Sequence, residues 1–502
     1  VKLIKERNPL PVICGRICLH PCESQCRRGL VDEPVAINPL KRFSSEYELE
    51  HGPFMPETKP DTGKKVAIVG GGPAGLSAAY FLRQQGHAVD IYEALPELGG
   101  MTRYGIPRFR LPWDKLDKEI SAVIGLGVNV HHNQRLGKDF TIDDLKNNGA
   151  DAVLIAIGAH QAKKMMVENE DIPGVIGGID FLRKVVLGEE VNVGKKVAVI
   201  GGGDTAMDCA RVAKRAGAEE VILLYRRSQE EIPALQHEQD ETIEEGVEFR
   251  LLTAPVEVLE ENGKAKGMRV ISMELGDPDE SGRRRPKPVE GSEEDLEFDL
   301  IIAAIGQNPD LRCIEDEKVV PECTRWNTIK YDEKSMVTSI DGVFTAGDCA
   351  FGPDTVIRAV SEGKQAAKAI NLYFSGANHI AMVGARRDIK LVARVHQPHW
   401  TAQIDLWRVH PKHFATYTAQ AGDIRFSTEA AGINDPVKVV MLITPGDRPR
   451  SDLRYRRVLN PFAALGFNGE IQCGQQRGII EITFAGQVNT AVVALGQFRL
   501  QR

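Results

Sequence analysis

The stretch KKVAIVGGGPAGLSAAYFLRQQGHAVDIYE, Lys64 to Glu93, constrains the fold more than any other part of the chain. Lys64 to Val69 reads as a short buried strand, and Gly70-x-Gly72-x-x-Gly75 follows at once. Leu76 to Gln85 then reads as a helix, and a second apolar strand, Ala88 to Tyr92, ends at Glu93. Each glycine has a physical task in such a unit. Gly70 allows the tight turn, Gly72 lets the backbone approach a pyrophosphate, and Gly75 lets helix pack against strand. The helix N-terminus supplies free N–H groups and a positive dipole end, and Glu93 can accept both hydroxyls of an unphosphorylated ribose. A lone glycine triplet would be weak evidence. Strand, turn, helix, strand and acid at this spacing predict a dinucleotide site.

A chain of 502 residues has room for about two to four domains. Its net charge of −7 points to neither nucleic acid nor an anionic membrane as a partner. No apolar run reaches the roughly 18 residues of a membrane span, and no stretch reads as a signal peptide. The expected compartment is the reducing cytoplasm. The chain starts at Val1 on a charged segment, which suggests a fragment or a segment of a longer polypeptide.

The opening pattern recurs at Lys195 to Ile200, followed by Gly201-x-Gly203-x-x-Ala206, a helix over about Thr205 to Ala216 and a strand Glu220 to Tyr225. The two units differ where the second strand ends. Glu93 is replaced by Arg226 and Arg227, which cannot accept from a ribose diol but can clamp a 2′-phosphate. The first unit therefore suits FAD or NAD and the second NADP, unless the two arginines are merely solvated charges. Between the units, Leu98-Gly99-Gly100 gives a second glycine turn toward the same pyrophosphate. Tyr104-Gly105-Ile106-Pro107-Arg108, with Leu111-Pro112, reads as an irregular loop suited to covering a flat ring. Ala152 to Ile157 reads as a strand ending at Gly158, either a plain turn or a crossover out of the first domain. Asp299 to Ile305 should close the second unit, and 275–298 reads as an exposed hairpin or loop. A further strand delivers Asp348 at its carboxyl end, where it can bind ribityl hydroxyls or simply cap a helix. The helix from Thr355 and Val356 can stabilise negative charge on a flavin ring.

Four of the nine cysteines, Cys14, Cys18, Cys22 and Cys26, fall within the first 26 residues at intervals of four. Gly15 and Pro21 argue against one continuous helix, so a wrapped loop converging four thiolates on an inorganic centre is expected. Iron–sulfur and zinc both suit such donors, and inert thiols are the bland alternative. His20 reads as a neighbour or surface residue, not a ligand. Residues 376–502 are richer in histidine, with His379, His396, His399, His410 and His413, and 478–498 alternates like strands. A metal pair at His396 and His399 is the sharper reading there, and ordinary core or surface histidines the blander one.

Together these segments resemble the glutamate synthase small-subunit family, whose relatives include the amino-terminal half of dihydropyrimidine dehydrogenase and the large subunit of NADH-dependent ferredoxin:NADP oxidoreductase. CGRICLHPCESQC, GGMTRYGIPRFRLP, AVIGGGDTAMDCAR, LYRRS, AAIGQNPD and GVFTAGDCAFGPDTVIRA carry the resemblance with the opening motif, over about residues 10 to 375. It implies an α/β fold with two Rossmann-like dinucleotide-binding domains, the NADPH domain inserted in the FAD domain, after a small helical iron–sulfur domain. The implied boundaries are 1–50 for the iron–sulfur domain, 51–63 for a linker, 64–185 and 312–375 for the FAD domain, and 186–311 for the NADPH domain, with 376–502 unassigned. Implied FAD contacts are Gly70, Gly72, Gly75, Glu93, Gly100, Gly347, Asp348, Thr355 and Val356. Implied NADPH contacts are Gly201, Gly203, Asp204, Thr205, Arg226 and Arg227. Cys14, Cys18, Cys22 and Cys26 match the family's second cysteine group, which serves [4Fe–4S] clusters. An earlier cysteine group of the family has no counterpart here, and Thr102 stands where an apolar residue is expected.

The implied activity is an NADPH-dependent FAD/iron–sulfur oxidoreductase subunit that passes electrons to or from a second redox subunit of synthase, dehydrogenase or ferredoxin type. The cofactors carry the chemistry, so no catalytic side chain is expected. A flavin-dependent disulfide reductase on the same fold would need a cysteine pair near the flavin, and the second unit offers Cys209 alone. A non-catalytic electron-wiring subunit is the other alternative, and the intact glycines and arginines of the second unit speak against it.

Overall fold

The computed structural model describes residues 1–278, 284–315 and 317–376, and beyond them the backbone of eight strands between 389 and 495. The amino-terminal segment holds α1 (Lys2–Lys5), α2 (Pro11–Ile17), α3 (Pro21–Ser24) and α4 (Ile37–His51). Pro21 opens α3 at its first position, where the missing N–H costs nothing, and His20 before it takes a left-handed conformation. Gly15 does not break α2. A Cβ there would lie 2.9 Å from the Arg42 Cα, so the glycine instead lets α2 touch α4 backbone to backbone. Residues 52–64 carry no helix or strand.

Two parallel sheets follow, built on one plan. The chain runs β1 (Lys65–Val69), α5 (Pro73–Gln84), β2 (Ala88–Tyr92), α6 (Met101–Tyr104), α7 (Trp113–Ile124), β3 (Asn129–His131), α8 (Ile142–Asn147), β4 (Ala152–Ile155) and β5 (Gln161–Ala162). It continues with β6 (Val175–Gly177), α9 (Gly178–Leu187), β7 (Lys196–Ile200), α10 (Asp204–Arg215), β8 (Glu220–Tyr225), α11 (Gln236–Glu244) and β9 (Glu248–Leu251). An antiparallel excursion of β10 (Thr253–Glu261), β11 (Lys264–Pro278), β12 (Arg284–Pro288) and β13 (Glu294–Glu297) leads to β14 (Leu300–Ala303) and β15 (Gln307–Asn308). The chain then closes with β16 (Val343–Thr345), α12 (Asp348–Phe351) and α13 (Val356–Phe374).

The first sheet has the order β16-β4-β1-β2-β3 and the second β6-β14-β7-β8-β9, both wholly parallel. Their central strands are unbroken apolar runs with both faces covered, as a parallel sheet requires. Strand β16 returns to β4 after the whole second sheet has formed, so the second domain is an insertion in the first. The crossing segments pair as β5 with β15. One boundary differs from the sequence reading, which assigned 175–185 to the first domain. Here β6 pairs with β14, in parallel, and so belongs to the second sheet. Within 275–298 the described strands β12 and β13 both pair antiparallel with β11.

Residues 377–502 form a separate unit with β17 (Ile389–His396), β18 (Thr401–Arg408), β19 (Phe414–Gln420), β20 (Ile424–Ser427), β21 (Val437–Leu442), β22 (Glu470–Gln476), β23 (Ile479–Ala485) and β24 (Val492–Leu495). Six of these make a mixed sheet, β19-β18-β17-β21-β23-β22, and β20 pairs with β24. His379, His399, His410 and His413, the side chain of His396, and the turns within 478–498 lie outside the described residues.

The first core is closed by α13 lying along α5. Gly363 makes that contact possible, since a Cβ there would meet the Ala74 carbonyl oxygen at 2.1 Å. Backbone on both sides cannot step aside cheaply. Gly363→Ala should therefore lower stability by about 1–3 kcal/mol despite its better helix propensity, read as a shift of the urea midpoint.

Candidate functional site

Both glycine turns sit at the carboxyl ends of the central strands, where open α/β sheets bind ligands. At Gly70, φ is +108° and a Cβ would lie 2.4 Å from the Ala156 carbonyl oxygen. At Gly75 it would lie 2.0 Å from the Gly70 carbonyl oxygen, and at Gly201 2.3 Å from that of Ala304. Protein packing demands these three glycines. It does not demand the middle ones: a Cβ at Gly72 would have one neighbour, 3.8 Å away, and one at Gly203 none within 4 Å among the described residues. Those two positions fit the close approach of a pyrophosphate. Helices α5, α10 and α13 begin there or nearby with no side-chain cap among the described residues, leaving first-turn N–H groups for a ligand.

A cleft of 380 Å³ opens at the end of the first sheet. Gly70, Gly72, Glu93, Gly100, Gly347, Asp348, Thr355 and Val356 all line it, and Gly75 lies behind them. Asp204 and Thr205 of the second unit line the same cleft, and so do Cys14 and Cys18. Gly201, Gly203, Arg226 and Arg227 do not line it; they lie at or just after the carboxyl ends of β7 and β8. Glu93 is 6 % exposed and accepts N–H bonds from Gly71 and Leu95, both at 2.8 Å. Each oxygen keeps a lone pair for a ribose hydroxyl, while burial pushes its carboxyl above the usual range. Asp348 opens α12 with Gly347 as the cap residue, so it caps no helix through its side chain. Burial pushes it up to about 7. Thr102 is buried with its hydroxyl donated to the Gly99 carbonyl at 2.7 Å, which explains a polar residue at that place.

The expected arginine clamp is uneven. Arg226 is exposed, whereas Arg227 is 7 % exposed and donates Nε to the Arg284 carbonyl at 2.9 Å. Gly105 and Ile106 face the cleft, but Phe109 packs against the guanidinium groups of Arg211 and Arg215 at 4.5 and 3.9 Å. Arg110 reaches Asp208 on α10 and Glu238 on α11, both at 2.7 Å. This bridge between the two domains was invisible in the sequence, because its partners lie about a hundred residues apart. His160 also lines the cleft, and burial holds its imidazole down near 4, hence neutral.

The cysteine group is spread along α2, α3 and the turns after them. Cys14 is buried on α2, and burial pushes its thiol up to about 12. Cys18 ends that helix, Cys22 is exposed on α3, and Cys26 is held below the usual thiol range by the backbone N–H groups of Val35, Arg28 and Gly29. Among the described residues no group of three or more His, Cys, Asp or Glu side chains is arranged to hold a metal ion. The thiol donor set suits iron and sulfide by its chemistry. What is firmly built is the seat of α2. Glu119 on α7 accepts the Val12 and Ile13 N–H groups at 2.7 and 2.8 Å, capping from another element a helix that has no cap of its own.

The comparisons with known proteins agree with this geometry. Residues 64–363 match the family described as pyridine nucleotide-disulphide oxidoreductase, and residues 1–53 match dihydropyrimidine dehydrogenase domain II, 4Fe-4S cluster. The NADPH-Fe(3+) oxidoreductase subunit beta of Geobacter sulfurreducens is 46 % identical over 73 % of this chain and 58 % of that protein. The glutamate synthase [NADPH] small chain of Azospirillum brasilense is 36 % identical over 73 % of this chain and 79 % of its own length. Among solved structures, Mycobacterium tuberculosis FprA in complex with NADPH shares the fold at a TM-score of 0.54 and 20 % identity, over 65 % of this chain and 89 % of its own. The chain belongs to the pyridine nucleotide-disulphide oxidoreductase family and, within it, to the group of the glutamate synthase small chain. It spans about three-fifths of the length of the Geobacter relative, at 58 %. Among the described residues no helix is long and apolar enough to cross a membrane.

Burial raises the Glu119 carboxyl from 4.5 to about 8. Between those values the folded chain holds a proton that the unfolded chain has released, so this group makes stability fall as pH rises from 4.5 to about 8. Glu119→Gln should flatten that fall by up to about 1.4 kcal/mol per pH unit, measured by urea unfolding across the range.

Proposed function

We propose that this chain is the NADPH-oxidising, electron-transferring module of a larger redox enzyme, with FAD in the first domain, NADPH in the second and a [4Fe–4S] centre at the cysteine group. One observation carries the reading: a single cleft is lined by the first fingerprint, by Asp204 and Thr205 of the second, and by Cys14 and Cys18. When bound, the flavin accepts a hydride from the nicotinamide and returns electrons one at a time.

The chain's own residues bind and orient. Gly72 and the α5 N-terminus would take the flavin nucleotide's pyrophosphate, Glu93 its adenosine ribose and Asp348 the ribityl chain. The α13 N-terminus at Thr355 and Val356 would face the anionic edge of the ring. Gly203 and the α10 N-terminus would take the second pyrophosphate, and Arg226 the 2′-phosphate. Cys14, Cys18, Cys22 and Cys26 are the proposed ligands on donor chemistry and on the family match over 1–53. Glu119 fixes the helix that bears the first of them against the flavin domain. The partner is a second redox subunit, since the relatives are themselves a beta subunit and a small chain. Such thiols belong in a reducing compartment, for which the cytoplasm is proposed. The same contacts serve flow toward NADP+. A disulfide reductase is disfavoured because Cys209 is fully buried, with its thiol donated to the Gly178 carbonyl.

Anaerobic titration with NADPH and NADH, followed by flavin absorbance alongside iron and acid-labile sulfide analysis, tests the reading. Bleaching by NADPH well ahead of NADH, with iron and sulfide in equal amounts, is expected. Preference for NADH would remove the role given to Arg226, and zinc without sulfide would remove the electron wire. Arg226→Gln should raise KM for NADPH about tenfold or more and leave KM for NADH nearly unchanged in stopped-flow reduction of the flavin.

A further inference from the structure

One loop of the flavin domain is rooted in both domains. Leu111 is fully buried in the core of the first. Phe109, two residues earlier, packs against the core of the second. Its ring meets Arg211 and Arg215, one turn apart on α10, with the guanidinium groups 4.5 and 3.9 Å from the ring centre. Between the two anchors, Arg110 donates Nη1 to Asp208 Oδ2 at 2.7 Å, and its Nε lies 2.7 Å from Glu238 Oε1 on α11. Arg211 is itself braced, by Glu238 at 3.1 Å and by Glu241 and Glu245 at 2.8 Å each. At the front of the loop, Gly105 and Ile106 line the cleft.

The chain itself crosses between the domains at β5 and β15, which pair over two residues each. Short connecting strands of this kind act as a hinge, where small dihedral changes swing a whole domain. The loop makes its tie elsewhere: β5 packs on α9, whereas Phe109 and Arg110 reach α10 and α11. A hinge with a second tie on other elements loses its freedom to turn. The side chains of Arg110, Asp208, Glu238 and Arg211 are all at most 9 % exposed. Buried ion pairs add little net stability, because desolvation offsets their attraction. What they specify here is geometry: a planar guanidinium satisfies two fixed carboxylates in one orientation, and a rotated domain would leave buried charges unpaired. Hydride transfer is sensitive to such an angle, since a misplacement of about 1 Å can cost about a hundredfold in rate.

We propose that the 105–112 loop is an interdomain latch, in which Phe109 and Arg110 are positioning residues that hold the second domain at the angle required for hydride transfer. They act on the rate of transfer through the orientation of the domain, not through affinity for either nucleotide. The loop that walls the flavin site with Gly105 and Ile106 thereby also sets the approach of the reductant. The inference rests on the NADPH reading of the second domain and adds how the two domains are held for the reaction.

Anaerobic stopped-flow reduction of the FAD-loaded protein by NADPH, set beside reduction by 1-benzyl-1,4-dihydronicotinamide, tests the latch. The second compound is a hydride donor without phosphate or adenine, so it needs no second domain. Phe109→Ala and Arg110→Gln should each lower the limiting rate with NADPH about tenfold or more, with its half-saturating concentration changed by less than about threefold. The rate with the small donor should equal the wild-type value or exceed it. Because both residues hold one orientation, the double variant should stay within about twofold of the slower single variant. Phe109→Leu keeps the apolar burial, loses the ring face, and carries the test if the other variants fail to fold; it should slow NADPH alone, by about threefold or more. Equal slowing with both donors, unchanged rates with both, or multiplied losses in the double variant overturn the proposal. Wild-type protein that is reduced by the small donor but not by NADPH overturns the NADPH reading itself, and this inference with it.

Discussion

How closely backbone can approach backbone at the carboxyl end of the first sheet governs most of what lies above it. Gly70 leaves the sheet against the Ala156 carbonyl, and Gly75 meets the Gly70 carbonyl within the same turn. A Cβ at Gly100 would fall 2.9 Å from the Gly72 Cα, so the second glycine turn touches the first. Gly363 then lets α13 rest on the Ala74 carbonyl. Any side chain at one of these points would push α5, the Leu98 turn or α13 outward. The N-termini of α5 and α13 would then no longer face one cleft.

The second sheet repeats the first in strand order and turn but differs in its charges. The first unit ends its second strand at a buried acid that keeps lone pairs for a diol. The second ends at a pair of arginines, one exposed and one drawn into the β12 backbone. Two acids at the start of α10 face back toward the flavin domain. The repeated scaffold thus carries different side chains at its two sets of strand ends, while its central strands are alike in order and apolar burial.

The cysteine segment is joined to that scaffold by polar contacts as well as by apolar packing. Glu119 reaches out of α7 to cap α2, and the buried Lys5–Glu48 pair, 2.6 Å apart, holds α1 to α4. A buried carboxyl group bonded to two backbone N–H groups is sensitive to displacement, because moving either partner leaves buried polar groups unpaired. The arrangement sets Cys14 and Cys18 on the cleft wall and leaves Cys22 outward.

The sequence alone determined the two fingerprints, the strands that carry them, the acid-to-arginine difference and the cysteine group, because each is written in local spacing. Periodicity and glycine positions constrain the chain over some thirty residues, the span of one βαβ unit. It did not disclose that β6 belongs to the inserted domain, that Gly15 serves a helix contact, or that Thr102 satisfies a turn carbonyl. Nor could it pair Arg110 with Asp208, or Glu119 with the amides of Val12 and Ile13. Those facts depend on which distant elements meet. Only the folded arrangement decides that, since a buried charge or a missing Cβ acquires its reason from the atoms placed opposite it.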